Sequence, residues 1–326
     1  MAFSDFAAIC SKTPLPLCSV IKSKTHLILS NSTIIHDFDP LNLNVGVLPR
    51  CYARSIDLAN TVIFDVGNAF INIGALGVIL IILYNIRQKY TAIGRSEYLY
   101  FFQLTLLLII FTLVVDCGVS PPGSGSYPYF VAIQIGLAGA CCWALLIIGF
   151  LGFNLWEDGT TKSMLLVRGT SMLGFIANFL ASILTFKAWI TDHKVATMNA
   201  SGMIVVVYII NAIFLFVFVI CQLLVSLLVV RNLWVTGAIF LGLFFFVAGQ
   251  VLVYAFSTQI CEGFKHYLDG LFFGSICNVF TLMMVYKTWD MTTDDDLEFG
   301  VSVSKDGDVV YDNGFMWNAS FFYYHI

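Results

Sequence analysis

The feature that most constrains this chain is an uncharged run from Met203 to Val230. Its twenty-eight residues include no Asp, Glu, Lys, Arg or His. As a helix the run is roughly 42 Å long at about 1.5 Å per residue, which exceeds the ~30 Å hydrocarbon core of a bilayer. Its interior polar side chains, Asn211 and Gln222, are uncharged, so their insertion into lipid costs little. The run therefore predicts a transmembrane helix.

Six further apolar runs repeat this pattern, and the composition agrees with a membrane protein. Apolar residues make up 59% of the chain and charged residues 11%, about half the usual charged share. We predict an all-α membrane protein with seven transmembrane helices, bundled over residues 65–287. No proline falls inside a predicted span, so we expect mostly unkinked helices. The predicted spans are Val66–Ile86, Tyr98–Val115, Tyr129–Gly152, Leu165–Ala188, Met203–Val230, Leu233–Tyr254 and Tyr267–Tyr286.

The segments on either side of the bundle have a different composition. Residues 1–64 are predicted to form a small cap, which is too short for a large core and needs disulfides or docking onto the bundle. Within it, Leu41–Val47 alternates apolar and polar residues, as is typical of a half-buried strand. Residues 288–326 form a short acidic tail with few helix signals, which predicts disorder or only local order.

Two independent signals predict the orientation of the bundle. The loops on one side carry most of the basic residues, which indicates the cytosol by the positive-inside rule. The candidate disulfide cysteines fall on the opposite side, as expected if that side is oxidising. Seven spans then place the cap in the lumen or outside the cell and the tail in the cytosol. The basic residues are Arg87, Lys89, Arg95, Lys162, Arg231 and Lys287, and the cysteines are Cys10, Cys18, Cys51, Cys117 and Cys261.

The five cysteines allow several pairings and leave at least one thiol over unless it pairs between chains. We expect at least two of them to be disulfide-bonded, because a disulfide restricts the unfolded chain and so stabilises a cap that lacks a large core. The cap also carries Asn31-Ser-Thr33, a glycosylation acceptor sequence.

No catalytic constellation is visible. The histidines form neither an HExxH pair nor a Cys/His spacing typical of zinc, and no Gly-rich phosphate loop or G-x-S-x-G motif occurs. We therefore expect no enzyme activity, no cofactor and no metal. The net charge of −4 without a basic block argues against a nucleic-acid partner.

Asp65, Asn68 and Asn72 lie at i, i+3 and i+7, so they share one face of the first span. Such a face either contacts a partner or an ion path, or forms an internal hydrogen-bonded seam. We favour the internal seam because it is the commoner use of Asn in membrane helices. We expect Asp116 and Asp269 to reach water at the span ends, which leaves no chain of buried ionisable groups.

The seventh span carries a second pattern, with Gly270, Gly274 and Asn278 at i, i+4 and i+8. Small residues at this spacing let another helix approach closely. That helix belongs either to the same bundle, which is the simpler interpretation, or to a partner protein. In the tail, Asp296-Leu-Glu298 has the form of a di-acidic exit signal, but such short acidic matches are frequent by chance, and we favour the simpler interpretation of a solvated acidic tail.

The chain resembles the fungal chitin synthase export chaperones over nearly its whole length, except for Trp317–Ile326. The segments that carry the resemblance are Ile9-Cys-Ser-Lys-Thr-Pro-Leu-Pro-Leu-Cys18, Leu48-Pro-Arg-Cys-Tyr-Ala-Arg54, Asn60–Gly77, Gly152-Phe-Asn-Leu-Trp-Glu-Asp-Gly159 and Phe264–Asp290. The resemblance implies a multi-pass protein of the endoplasmic reticulum that binds a chitin synthase, prevents its aggregation and permits its exit to the cell surface. It implies three kinds of partner, namely the synthase, the lipid bilayer and vesicle-coat cargo receptors.

Two other classes of seven-span protein remain as alternatives. A receptor is disfavoured because no Asp-Arg-Tyr-like triplet ends the third span and no Asn-Pro-x-x-Tyr occurs in the seventh. A small-solute transporter is disfavoured because the spans show no paired broken helices.

Overall fold

The computed structural model describes residues 7–21, 46, 49–58, 61–63, 65–153, 155–187 and 200–298. Within them, seven helices are long and apolar enough to cross a membrane, which confirms the predicted spans. In order, spans one to seven are Val66–Gln88, Arg95–Asp116, Tyr127–Leu151, Thr161–Phe186, Ser201–Val230, Leu233–Tyr254 and Gly270–Thr293. Asn31 and the predicted strand at 41–47, apart from Gly46, lie outside the described residues.

Local sequence signals set where several spans begin. The side chains of Asp65, Thr160 and Asn232 accept hydrogen bonds from the backbone at the starts of spans one, four and six. These are residue types that cap helices well, because a short polar side chain satisfies a free N–H group. Between spans five and six, Arg231 adopts a positive φ of 54°, which reverses the chain within two residues.

Span three lies at the centre of the bundle. It packs against spans two, four and five, while span one packs against spans two and seven, and span six packs mainly against span seven. The largest cluster of buried apolar side chains fills the space between these helices, from their middle to one of their ends. Its most buried side chains include Ile79, Ile86, Phe101, Phe102 and Ile148.

The N-terminal segment packs at one end of the bundle, which we call the cap side. There a short helix, Ala7–Cys10, and a 3-10 turn, Pro16–Ser19, lie on a second apolar cluster with the ends of spans two to five. A two-stranded hairpin follows, with Ile56–Leu58 antiparallel to Thr61–Ile63. One further short helix, Ser257–Gly263, precedes span seven on this side.

The opposite end is the tail side, where the seventh helix runs on to Glu298. The tail, predicted to be disordered or only locally ordered, is thus locally ordered over residues 288–298, which continue the seventh helix. The helix continues because its first tail residues are held in place: Trp289 Nε1 donates to the Ile93 carbonyl at 2.9 Å, and Asp290 forms ion pairs with Lys89 and Lys287.

Span five departs from a regular α-helix. Its segments Ile204–Ile210 and Val225–Val230 are π-helical, on either side of the α-helix Asn211–Leu224. As predicted, no proline lies in the interior of a span, and Pro128 lies in the first turn of span three. The lack of proline could not predict the π-helical segments, because a π-helix needs no proline; such segments are often found at functional sites.

Candidate functional site

The polar face predicted on span one meets two further acidic residues at the cap side. Asn68 Nδ2 donates to Asp116 Oδ2 of span two at 2.7 Å, and Asn72 Nδ2 donates to the same oxygen at 3.1 Å. Ser275 of span seven donates to Asn68 Oδ1. This arrangement, the acid–amide junction, joins spans one, two and seven.

The prediction that Asp116 and Asp269 reach water is wrong. Asp116 is 5% exposed and Asp269 is 1% exposed. Asp116 can be buried because hydrogen bonds from the two asparagine amides offset the free-energy cost of removing its carboxyl group from water. Asp269 is covered because it caps span seven, accepting from the backbone N–H of Phe272 at 3.1 Å. Sequence spacing could not predict this burial, since Asp65, Asp116 and Asp269 are far apart in the chain.

Asp65 and Asp269 lie just outside their spans, and their environments favour the protonated form. Burial raises the pKa of Asp65 well above its ordinary range, and the charges of Asp269 and Asp116 raise it further. Burial also raises the pKa of Asp269. The Asp65 Oδ2 atom is buried without a hydrogen-bond donor. Both shifts have the same sign, so this pair of carboxyls holds a proton more readily than carboxyls in water do.

Four of the five candidate cysteines form two disulfides. Cys10 bonds Cys18 within the cap, and Cys51 bonds Cys261, which ties the cap to the loop between spans six and seven. Cys117 is a free thiol of intermediate exposure, and burial, together with the neighbouring Asp116 charge, raises its pKa. A raised pKa makes it a poor nucleophile.

His266 lies beside the second disulfide, a placement that linear spacing did not show. Its Nδ1 atom is 3.2 Å from Cys51 Sγ, 3.8 Å from Cys261 Sγ and 3.3 Å from the Tyr52 carbonyl oxygen. The two sulfurs and this nitrogen are close enough to share a metal ion. Because a disulfide offers no thiolate ligand, the oxidised site is a covalent link between cap and bundle rather than a metal centre.

The glycine stripe on span seven divides into two parts. A Cβ on Gly270 would meet the Leu252 carbonyl oxygen at 2.7 Å, and one on Gly274 would meet Val253 Cγ2 at 2.3 Å. Both glycines therefore pack against span six or the turn that follows it. For these two residues the structure supports the internal alternative over a partner-facing surface. Asn278, by contrast, is exposed.

A second buried amide pair joins spans four and five. Asn211 Nδ2 donates to Asn178 Oδ1 at 2.9 Å, and Asn178 Nδ2 donates to the Gly174 carbonyl at 2.8 Å. Asn178 fits because Gly139 of span three leaves room for it. The pair is the kind of interhelical hydrogen bond that holds membrane helices in register.

Comparison with known proteins decides the family. A family model described as "Chitin synthase export chaperone" matches residues 2–303. The chain is 78% identical over 311 residues to the chitin synthase export chaperone of Candida glabrata, covering 95% of this chain and all of the relative. It is 61% identical to that of Kluyveromyces lactis, covering 93% of this chain and 96% of the relative.

The chain belongs to the chitin synthase export chaperone family. It is therefore a member of a chaperone family and not an enzyme. No solved structure matches it.

The export-chaperone segment 152–159 has a definite structural role on the tail side. Asp158 accepts from the backbone N–H of Gly94 at 2.8 Å, and Gly159 donates to the buried Glu97 at 2.9 Å. Ser163 also donates to Glu97. These bonds clamp the loop between spans three and four onto the start of span two. The segment therefore fixes the tail side of the bundle and contains no catalytic arrangement among its described residues.

Proposed function

We propose that this chain binds a chitin synthase in the membrane of the endoplasmic reticulum, prevents its aggregation and permits its exit to the cell surface. Membership of the export chaperone family carries this proposal. The fold is compatible with it, because the described residues form a bundle of seven membrane-spanning helices rather than a catalytic site. The same family membership disfavours the receptor and transporter alternatives.

We propose further that the cap side faces the lumen and the tail side the cytosol. Both disulfides lie on the cap side, and disulfides persist in oxidising compartments. Six basic residues, Arg87, Lys89, Arg95, Lys162, Arg231 and Lys287, lie at the other end. A tag at Ala2 should then be protected from protease in sealed microsomes, and a tag after Ile326 should be cut. The reverse pattern would overturn the orientation.

The decisive test of function is purification of the tagged full-length chain in mild detergent, with the bound proteins identified by mass. We expect a chitin synthase to be the main partner. In cells that lack the chain, the synthase should accumulate in the endoplasmic reticulum and enter aggregates. A synthase that reaches the surface normally in such cells would contradict the proposal.

Two surface signals extend the proposal. Asp296 and Glu298 are proposed to form an exit signal read by vesicle-coat cargo receptors, and their backbone is helical. Asn31 is proposed as a glycosylated residue of the lumenal cap. Changing both acidic residues to Ala should slow exit of the chain without changing its abundance, and Asn31→Gln should increase its mobility in gel electrophoresis.

A further inference from the structure

The loop between spans six and seven brings a histidine against the disulfide that ties this loop to the cap. His266 Nδ1 lies 3.2 Å from Cys51 Sγ and 3.8 Å from Cys261 Sγ. Among the residues that the structure describes, this is the only group of three His, Cys, Asp or Glu side chains whose ligand atoms all lie within 4.8 Å of one another. Two of its three ligand atoms are bonded to each other in the oxidised chain.

The distances in this group fit a tetrahedral zinc ion once the two cysteines are thiolates. Zinc binds sulfur at about 2.3 Å and imidazole nitrogen at about 2.0–2.1 Å, so a nitrogen and a sulfur on one tetrahedral ion are roughly 3.6 Å apart. The two N···S distances, 3.2 Å and 3.8 Å, lie on either side of this value. Two sulfurs on such an ion are roughly 3.8 Å apart. Cysteines with Cα atoms 6.0 Å apart can reach this separation by side-chain rotation.

Backbone contacts hold His266 in place in addition to the disulfide. Lys265 and His266 have positive φ values of 52° and 67°, and this turn brings the His266 N–H to the Cys261 carbonyl at 3.0 Å. From the cap, the Arg54 N–H donates to the His266 carbonyl at 2.9 Å. The Arg54 guanidinium also lies over the Tyr267 ring, 5.2 Å from its centroid. Non-covalent contacts thus join the cap and the loop at the position of the histidine.

Both cysteines are thiols when the chain is made, so this state needs no reductant. Zinc binding replaces the proton of each thiol and releases two protons to water. The imidazole binds zinc through Nδ1 with its own proton on Nε2, and the exposed His266 side chain can exchange that proton with solvent. Later oxidation by the disulfide of an oxidoreductase takes two electrons from the two thiolates and forms the S–S bond. The oxidant takes up two protons and becomes a dithiol, and the zinc ion is released.

We propose that Cys51, Cys261 and His266 form a zinc site in chains whose Cys51–Cys261 disulfide has not yet formed, and that zinc then links the cap to the loop between spans six and seven. Three protein ligands leave the fourth tetrahedral position to water. Zinc and the disulfide are alternative links at one place, because they use the same two sulfur atoms. The proposal goes beyond the proposed function and does not depend on the client synthase.

The test measures zinc binding to the tagged full-length chain in detergent, after reduction with a phosphine and removal of the reductant without oxygen. We expect one bound zinc ion per reduced chain and none in the oxidised chain. Cobalt in place of zinc should give a thiolate charge-transfer band and the visible bands of a tetrahedral ion. A reduced chain that binds no zinc would overturn the proposal.

His266→Ala should weaken zinc binding to the reduced chain by about a hundredfold or more, because even residues that only orient a ligand contribute about 10–100-fold to metal affinity. Glu262→Gln is the matched control, since Glu262 is an exposed neighbour of Cys261 outside the ligand group. It should leave the zinc affinity unchanged. Equal affinities of His266→Ala and the unaltered chain would show adventitious binding to thiols only, which would overturn the proposed site.

Alkylation of the unaltered chain assigns the ligands even if His266→Ala lowers abundance. In the reduced chain, saturating zinc should slow alkylation of Cys51 and Cys261 by about tenfold or more, because zinc binds the folded site and holds the thiolates. Alkylation of Cys10 and Cys18 should not change. Peptide mass spectrometry reads each cysteine separately. Protection that does not favour Cys51 and Cys261 over the other pair would contradict the proposal.

Discussion

Spans three and seven differ greatly in how much of their surface the rest of the chain covers. In the most apolar stretch of span three 56% of the residues are buried, against 11% in span seven and 22% in span six. Span three is surrounded by three other helices, whereas spans six and seven pack mainly on each other. The helices packed around span three thus form the packed half of the bundle, and the hairpin of spans six and seven is a peripheral element with free surface.

The difference shows that the two halves of the bundle are stabilised in different ways. A well-packed half fixes the fold in lipid, where close packing and polar contacts must supply the stability that apolar burial gives in water. The peripheral hairpin is fixed at few points. These are the acid–amide junction, the Cys51–Cys261 disulfide and the tail-side contacts of Trp289.

The largest effect is expected for Gly139→Leu in the packed half. A Cβ at Gly139 would meet Asn178 Nδ2 at 2.1 Å, and that side chain cannot move because it bonds Asn211 and Gly174. We expect a loss of about 3 kcal/mol or more and little folded protein. Abundance and thermal unfolding in detergent measure it. Gly237→Leu in span six is the control, since a Cβ there meets nothing within 4 Å. Equal abundance of the two variants would refute the contrast between the two halves.

Cys51→Ser should loosen the peripheral half while leaving the packed half intact. Removing a disulfide typically costs about 2–4 kcal/mol, here by freeing the cap from the loop between spans six and seven. Hydrogen exchange should increase in residues 257–270 and stay unchanged in span three. Cys10→Ser is the comparison, because its disulfide joins two cap residues, and the loop that it closes contacts the region between spans six and seven through a hydrogen bond from Thr258 Oγ1 to the Lys12 carbonyl at 3.2 Å rather than through a covalent bond. Identical exchange patterns for both variants would show that Cys51–Cys261 does not hold the hairpin.

Gly274→Leu should disturb the contact between spans six and seven by about 1–3 kcal/mol. The effect should be smaller than for Gly139→Leu, because the obstructing Val253 side chain belongs to a helix that is free to shift on its outer side. Abundance should fall in parallel with synthase binding. A variant that keeps normal abundance but no longer binds the synthase would instead show that Gly274 belongs to the client interface.

The smallest effect is expected for Asp65→Asn at the acid–amide junction, about 1 kcal/mol. Because burial raises the pKa of Asp65, the folded state holds its proton more tightly than the unfolded chain does. The stability from this proton is fully present below the ordinary pKa of about 3.9 and is lost as the pH rises through the raised value. Unfolding temperatures should therefore fall with rising pH, less steeply in Asp65→Asn. Equal slopes would show that Asp65 does not titrate in this range.

The amino-acid sequence by itself determined the seven spans, their approximate ends and the family. Hydropathy and helix length are local properties. In lipid each span must form its backbone hydrogen bonds internally, so a run such as Met203–Val230 must form a transmembrane helix. The sequence also identified cysteines that are bonded in the structure. It could not determine their pairing, since Cys51 and Cys261 are separated by 210 residues.

Only the tertiary structure decided which faces of the helices meet. It buried Asp116 beside Asn68 and Asp269 beside Asp65, placed His266 against a disulfide and separated Asn278 from the two glycines that share its spacing. Helical spacing shows that residues share a face but not which helix covers that face. That choice depends on the packing of all seven helices together, because small residues and amides fit equally well against a neighbour in the same chain or in another protein.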